Sequence, residues 1–255
     1  MESRQTKIYG LIGYPLSHSF SKKYFTNKFE VENVPGHVYE LFPIPQITEL
    51  PALLAQHPGL CGLNVTVPYK KEVMQFLDRI DGEAGKIGAV NCIKITSTEN
   101  TTKLEGYNTD IYGFEESLKP LLKTNHQKAL VLGNGGAANA VKFVLNKLGI
   151  SYRIITRRQE ADSILFSDLT DTMIAEHPLI INTTPVGTAP KTDECPPIPY
   201  DAINNKHLLY DLIYNPEQTI FLSKGLAKGA AIKNGYEMLV LQAERSWEIW
   251  NAPTI

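Results

Sequence analysis

The chain has 255 residues, 43% hydrophobic and 20% charged, with 25 basic against 27 acidic side chains and a formal net charge of −2. That balance offers no electrostatic footprint for nucleic acid or an anionic membrane surface, and the composition is not that of a disordered chain. No run approaches the ~18 apolar residues of a membrane span. The apolar stretch 8–16 is broken by Gly10, Gly13 and Pro15 and does not read as a signal peptide. Cys61, Cys92 and Cys195 form neither a CxxC pair nor a metal-ligand spacing, which fits a reducing, cytoplasmic setting.

In chain order, apolar runs bounded by Gly, Pro or Asn alternate with segments of helical period, the pattern of an α/β fold. Residues 7–13 predict a buried strand, 22–30 a helix, 36–44 a strand and 48–56 a helix. GLNVTV (62–67) predicts a strand stopped by Pro68, 71–77 a helix and 89–96 another strand. A second series opens with a helix over 114–122, then a strand at 128–133, a Gly-rich turn and a helix over 138–148. Strands follow at 152–156, 179–184 and 207–213, with a Pro-rich surface loop over 185–199. An amphipathic helix over 238–250 carries Met238, Leu239, Ala243, Trp247 and Trp250 at helical spacing.

Gly133-Asn134-Gly135-Gly136-Ala137-Ala138 satisfies G-x-G-x-x-[GA] between a predicted strand and a predicted helix, the context that gives the motif meaning. Gly133 permits the tight turn, Gly135 lets backbone approach a pyrophosphate, and the helix N-terminus offers N–H groups to the anion. An ordinary strand-to-helix turn would also use glycine. The next strand ends in Arg157-Arg158, 157 − 133 = 24 residues beyond the first glycine, where a dinucleotide's ribose is read. Two guanidiniums suit a 2′-phosphate, which favours NADP, while Glu160 and Asp162 keep NAD open.

Polar groups elsewhere stand where strand or helix economy does not ask for them. In Asn64 to Lys70, period 2 puts Asn64 and Thr66 opposite Val65 and Val67, facing either water or a ligand. Asn91 lies in an apolar run, Asp110 precedes a helix and could be its N-cap, and Gln242 shares a face with Met238 and Leu239. Ser19 and Ser21 flank Phe20 in a loop, Ser21 also being a fair N-cap. Together these hydroxyls, amides, amine and carboxylate suit a small, polyhydroxylated anion.

These stretches resemble the shikimate dehydrogenase family across nearly the whole chain. The match runs through GLIGYPLSHSFS (10–21), GLNVTVPYK (62–70), GAVNCI (88–93), GYNTDIYGF (106–114) and LGNGGAANAV (132–141). It continues through INTTPVG (181–187), DLIYNPEQT (211–219) and GYEMLVLQAERSWEIW (235–250). The resemblance implies NADPH-dependent reduction of 3-dehydroshikimate to shikimate, with no metal. It places Ser19, Ser21 and Tyr214 at the substrate carboxylate, and Thr66, Lys70, Asn91, Asp110 and Gln242 at its ring hydroxyls and ketone. It places Gly133, Asn134, Gly135, Gly136 and Ala137 at the pyrophosphate, Thr156, Arg157 and Arg158 at the adenosine ribose, and the backbone of Leu212 and Gly235 along the nicotinamide. Departures from the family pattern include Lys22 for Pro, Asn134 for Ala, Thr156 for Asn and Arg158 for Thr.

Lys70 is the candidate to stabilise or protonate the growing oxyanion, as general acid or as electrostatic clamp, with Asp110 orienting it. The expected architecture is α/β in two domains. Residues 1–107 and 236–255 form an open α/β substrate domain, and 108–235 a Rossmann-like NADP-binding domain, with the C-terminal helix returning to the first. The expected protein is a monomer or homodimer binding no nucleic acid and no membrane. The alternatives are an NAD-using quinate/shikimate dehydrogenase and a non-catalytic nucleotide-binding regulator on the same fold.

Overall fold

The computed structural model describes residues 6–16, 19–98 and 101–253; Ser17 and His18 of the 10–21 motif lie outside them. Among the described residues, no helix is long and apolar enough to cross a membrane. Contacts divide the chain into two units, Met1–Thr109 with Ala243–Ile255, and Asp110–Gln242.

The first unit is built on β1 (Lys7–Gly13), α1 (Phe20–Val31), β2 (His37–Pro43), α2 (Leu50–Gln56) and β3 (Leu60–Val65). It continues through β4 (Arg79–Ile80), α3 (Gly82–Ile87), β5 (Cys92–Ser97) and β6 (Thr102–Tyr107). The sheet order is β2-β1-β3-β5-β6-β4. β2, β1 and β3 run parallel, while β5 pairs antiparallel with both β3 and β6. Strand parity sorts side chains to two covered faces. Ile12, Leu63, Val65 and Ile93 pack with Leu50 and Val73 on one face. Tyr9, Leu11 and Tyr39 pack with Phe25, Ala243 and Trp250 on the other. Gly62 makes the second face possible, because a Cβ there would overlap the Trp250 indole. Trp250 lies on the sheet, its Nε1–H donating to the Ile93 carbonyl at 2.9 Å.

The second unit carries α4 (Thr109–Leu118), β7 (Lys128–Leu132), α5 (Gly136–Lys147), β8 (Ser151–Thr156), β9 (Ser163–Leu165) and α6 (Asp171–Glu176). It then carries β10 (Leu179–Asn182), β11 (Leu208–Asp211), α7 (Ile220–Ala227), β12 (Ala231–Lys233) and the start of α8 (Tyr236–Asn251). All six strands are parallel in the order β12-β11-β10-β7-β8-β9. β7, β10 and β11 are almost continuously buried, as a sheet covered on both faces requires. The order reverses between β7 and β10, and in such sheets ligands bind beyond the strand C-termini at that point.

Several expectations are corrected. The 71–77 segment is a 3-10 turn, Glu72–Phe76, rather than an α-helix. The strand expected at 89–96 begins at Cys92, so Asn91 stands just before it. α4 begins at Thr109 rather than 114, which puts Asp110 in its first turn and not at its N-cap. Ser19, not Ser21, caps α1, accepting from the Lys22 N–H at 3.3 Å. Asn64 is buried rather than facing water, because α1 and α8 cover that face of the sheet. β4, α3, β6, β9, α6, α7 and β12 went unread; most have six residues or fewer, too short for a period to register. The divisions at Thr109/Asp110 and Gln242/Ala243 differ from the expected 107 and 236, since α8 belongs to both units. Gly113 meets its Met238–Gln242 stretch, and Gly62 meets Trp250.

Candidate functional site

In the second unit, the candidate dinucleotide residues lie at the C-terminal ends of the strands. Gly133 follows β7 with φ +98, a conformation that favours glycine, and a Cβ there would meet Thr184 Cγ2 at 2.9 Å. Gly135 is the N-cap of α5 and supplies no side-chain hydrogen bond, so the first-turn N–H groups are not capped by a side chain there. A Cβ on Gly135 or Gly136 would meet no atom within 4 Å. This open glycine surface at a helix N-terminus fits a pyrophosphate. Ala137 and Ala138 belong to the first turn of α5, Ala138 being fully buried against the sheet.

Beyond β8, Thr156 is buried and its hydroxyl donates to the Arg158 carbonyl at 2.8 Å, folding back the segment that exposes Arg157 and Arg158. Asn134 differs from the usual alanine by a function of its own. Its Nδ2 donates to Glu160 at 2.6 Å, and its Oδ1 accepts from Lys142 at 2.8 Å, tying the Gly-rich turn to the arginine loop. At the other end of the crevice, a Cβ on Gly235 would fall 2.6 Å from the Leu212 carbonyl carbon, so these two backbones touch. The Gly235 N–H donates to the Ile213 carbonyl at 3.0 Å, and Tyr214 next to it is half-exposed. Two exposed arginines, an open Gly-rich helix start and a backbone shelf at Leu212 and Gly235 are a donor set that fits a phosphorylated dinucleotide.

In the first unit, a buried run of hydrogen bonds joins residues from six separate stretches. Ser21 meets the Tyr39 phenol, whose hydroxyl donates to Asn64 Oδ1 at 2.8 Å. Asn64 Nδ2 donates to Ser246 Oγ at 2.9 Å and to the Asn91 carbonyl at 3.3 Å. Ser246 Oγ lies 3.3 Å from Thr109 Oγ1. Asn91 Oδ1 accepts from the Thr109 N–H at 2.6 Å, and its Nδ2 donates to Thr109 Oγ1 at 3.1 Å. The Asn91 amide therefore fixes the start of α4, where Asp110 is the next residue. Lys70 follows the turn after β3, its carbonyl accepting from the Val90 N–H at 2.7 Å, one residue from Asn91. Thr66 opens that turn, and Gly13 allows its close approach, since a Cβ on Gly13 would overlap Thr66 Cγ2. Gln242 lies one helical turn before Ser246, on the same face of α8. Its Nε2 donates to the Leu239 carbonyl at 2.9 Å.

Thr109 and Ser246 were not singled out in the sequence because neither carries a local signal: each is a small hydroxyl on a helix. Asn64 was seen only as half of a polar strand face. Also unread was Asp211, fully buried at the end of β11 and bonded to Asn182, Ile213 and Thr219. Burial pushes its carboxyl up to about 6 against the opposing pull of those hydrogen bonds.

A family profile described as the shikimate dehydrogenase substrate binding domain matches residues 11–93. The shikimate dehydrogenase (NADP(+)) of Clostridium beijerinckii is 40% identical to the chain over 96% of its length and 92% of the relative's. The crystal structure of shikimate dehydrogenase from Aquifex aeolicus is similar with a TM-score of 0.83 at 34% identity, covering 100% of this chain and 96% of that one. That of the Thermus thermophilus shikimate 5-dehydrogenase in complex with NADP(H) and shikimate scores 0.81 at 29% identity, covering 96% and 93%.

Proposed function

Since the chain belongs to the shikimate dehydrogenase family, we propose that it reduces 3-dehydroshikimate reversibly to shikimate with NADPH, serving chorismate and aromatic amino acid biosynthesis. The first unit takes the substrate and the second the dinucleotide. A reducing cytoplasm suits the three free thiols of Cys61, Cys92 and Cys195. The observation that carries this reading is the buried run of hydrogen bonds in the first unit. It draws Ser21 and Asn91 into one framework, and the Lys70 carbonyl accepts from Val90, the residue before Asn91.

Bound NADPH supplies the hydride. Gly133, Asn134, Gly135, Gly136 and Ala137 hold its pyrophosphate, Thr156, Arg157 and Arg158 its adenosine ribose phosphate, and the backbone of Leu212 and Gly235 its nicotinamide. Ser19, Ser21 and Tyr214 hold the substrate carboxylate, a modest anion site of neutral donors. Thr66, Asn91 and Gln242 hold ring hydroxyls and fix the face presented. As charge develops on the ketone oxygen, the Lys70 ammonium stabilises it and delivers a proton, while Asp110 orients the amine and accepts from a ring hydroxyl. On the reverse path Lys70 takes the proton back.

Assay of purified protein with shikimate and either NADP or NAD tests the reading. NADP reduction is expected, with NAD much poorer. Equal or better turnover of quinate with NAD identifies the quinate/shikimate alternative, and no turnover with either cofactor identifies a non-catalytic regulator.

A further inference from the structure

Asp211 is a carboxylate with no part in the chemistry above, yet it is completely buried at the C-terminal end of a central strand. All three of its hydrogen-bond donors are neutral. Oδ1 accepts from Asn182 Nδ2 at 3.0 Å and from the Ile213 N–H at 3.1 Å, while Oδ2 accepts from Thr219 Oγ1 at 2.6 Å. Burying a carboxylate without a cation is costly, and the raised affinity for its proton reflects that cost. Its partners explain what is gained. Asn182 ends β10, and its Oδ1 accepts from both the N–H and the hydroxyl of Thr184, shaping the turn that meets Gly133. Ile213 accepts through its carbonyl from the Gly235 N–H. Thr219 caps α7. One side chain thus ties together three segments at the strand C-termini, one strand from the point between β7 and β10 where the order reverses.

We propose that Asp211 is a positioning residue for the nicotinamide end of the dinucleotide site. It holds the Leu212–Tyr214 backbone against Gly235 through the Ile213 N–H, and the Thr184 turn against Gly133 through Asn182. The proposal rests on the reading that Leu212 and Gly235 line the nicotinamide. It accounts for the Asp211 and Thr219 positions in DLIYNPEQT and for Asn182 and Thr184 in INTTPVG, to which the reaction itself assigns nothing.

The test compares Asp211→Ala with the wild-type enzyme by amide hydrogen exchange, steady-state kinetics and binding of adenosine 2′,5′-bisphosphate, a probe that lacks the nicotinamide end. Exchange at Ile213 and Gly235 should quicken by about tenfold, the worth of a lost hydrogen bond. The kcat should fall by about ten- to a hundredfold from misplacement of the reacting end, with the Kd for the bisphosphate unchanged. Thr219→Val removes the Oδ2 partner, and the side-chain cap of α7 with it, while keeping the side-chain shape. It should give the same pattern at smaller amplitude, and it serves if Asp211→Ala fails to fold. Unaltered exchange at Ile213 and Gly235 in both variants overturns the proposal while leaving the nicotinamide reading intact. Quickened exchange with unaltered kcat overturns both, since the shelf would then not face the reacting ring. A parallel loss of bisphosphate binding overturns the proposal by showing a general loosening of the second unit.

Discussion

Replacing Gly136 with alanine separates what the Gly-rich turn does for folding from what it does for a ligand. Gly136 opens α5, and a Cβ built there meets no atom within 4 Å. Alanine is favoured over glycine by ~1 kcal/mol inside a helix and by less in the first turn, so stability should hold or rise slightly. On the proposed assignment, the methyl would nevertheless crowd a pyrophosphate approaching the first-turn N–H groups of α5. Losing one hydrogen bond to a charged oxygen costs about 1.5–3 kcal/mol, so the Kd for NADPH should rise about ten- to a hundredfold. Gly133→Ala should behave in the opposite way. Its φ of +98 and its 2.9 Å and 3.0 Å approaches to Thr184 Cγ2 and Thr183 Oγ1 destabilise the folded chain by about 2–4 kcal/mol. Urea unfolding reads the stabilities, and titration of NADPH fluorescence reads the affinities. A Gly136→Ala protein that binds NADPH with the wild-type Kd would falsify the assignment of the pyrophosphate to this turn. A Gly133→Ala protein as stable as wild type would refute the strain argument.

Arg157→Ala should weaken NADPH binding by about 1.5–3 kcal/mol and leave NADH nearly unchanged; equal losses for both cofactors, read by the same titration, would reduce the arginines to loop supports. Lys70→Ala should lower kcat by ~10²-fold or more, and combining it with Asp110→Asn should add little, because the two act on neighbouring atoms. Near-wild-type kcat in the single variant, with substrate and cofactor still bound, would move the search to Tyr214. Ser19→Ala should raise the substrate KM with little change in kcat, and should also cost ~1 kcal/mol in urea unfolding, since Ser19 caps α1. Asp211 supplies a pH signature. Its carboxyl sits at about 6 in the folded chain against 3.8 as a reference, so the folded state binds the proton more tightly. That contribution to stability is complete below pH ~4 and is lost as the pH rises through ~6, about 3 kcal/mol in all. The wild-type unfolding free energy, measured relative to Asp211→Asn, should therefore fall by this amount between pH ~4 and ~7. A constant difference across that range would mean that burial does not perturb Asp211.

The Gly-rich turn was legible because its demands are local. A positive φ at Gly133 and open backbone at Gly135 and Gly136 can be met only by particular residues at particular spacings, and those spacings survive in the sequence. The arginines after β8 stood out for the same reason, at a fixed distance along one strand–helix–strand path. The alternation of apolar runs likewise announced two α/β units, while short elements such as β4, α3 and β12 escaped because two to six residues carry no measurable period.

Asn91 shows where local reading stops. As an amide in an apolar run it gives no sign that in the fold it stands at the mouth of β5 and also holds the start of α4 through its Oδ1. Asn64 and Ser246 are 182 residues apart in the chain yet share a hydrogen bond. Nothing near Ser246 distinguishes it from a solvated helix serine until α8 returns to the sheet and Trp250 settles over Gly62. Asp211 went unread because its three donors come from the end of β10, the segment after β11 and the cap of α7. The sequence by itself determined the conformations that single residues and short spacings impose, and through them the family and its cofactor. Which polar side chains face a ligand and which instead hold the framework was decided by tertiary structure, because a buried polar group must find its partner wherever packing brings one, at whatever distance along the chain.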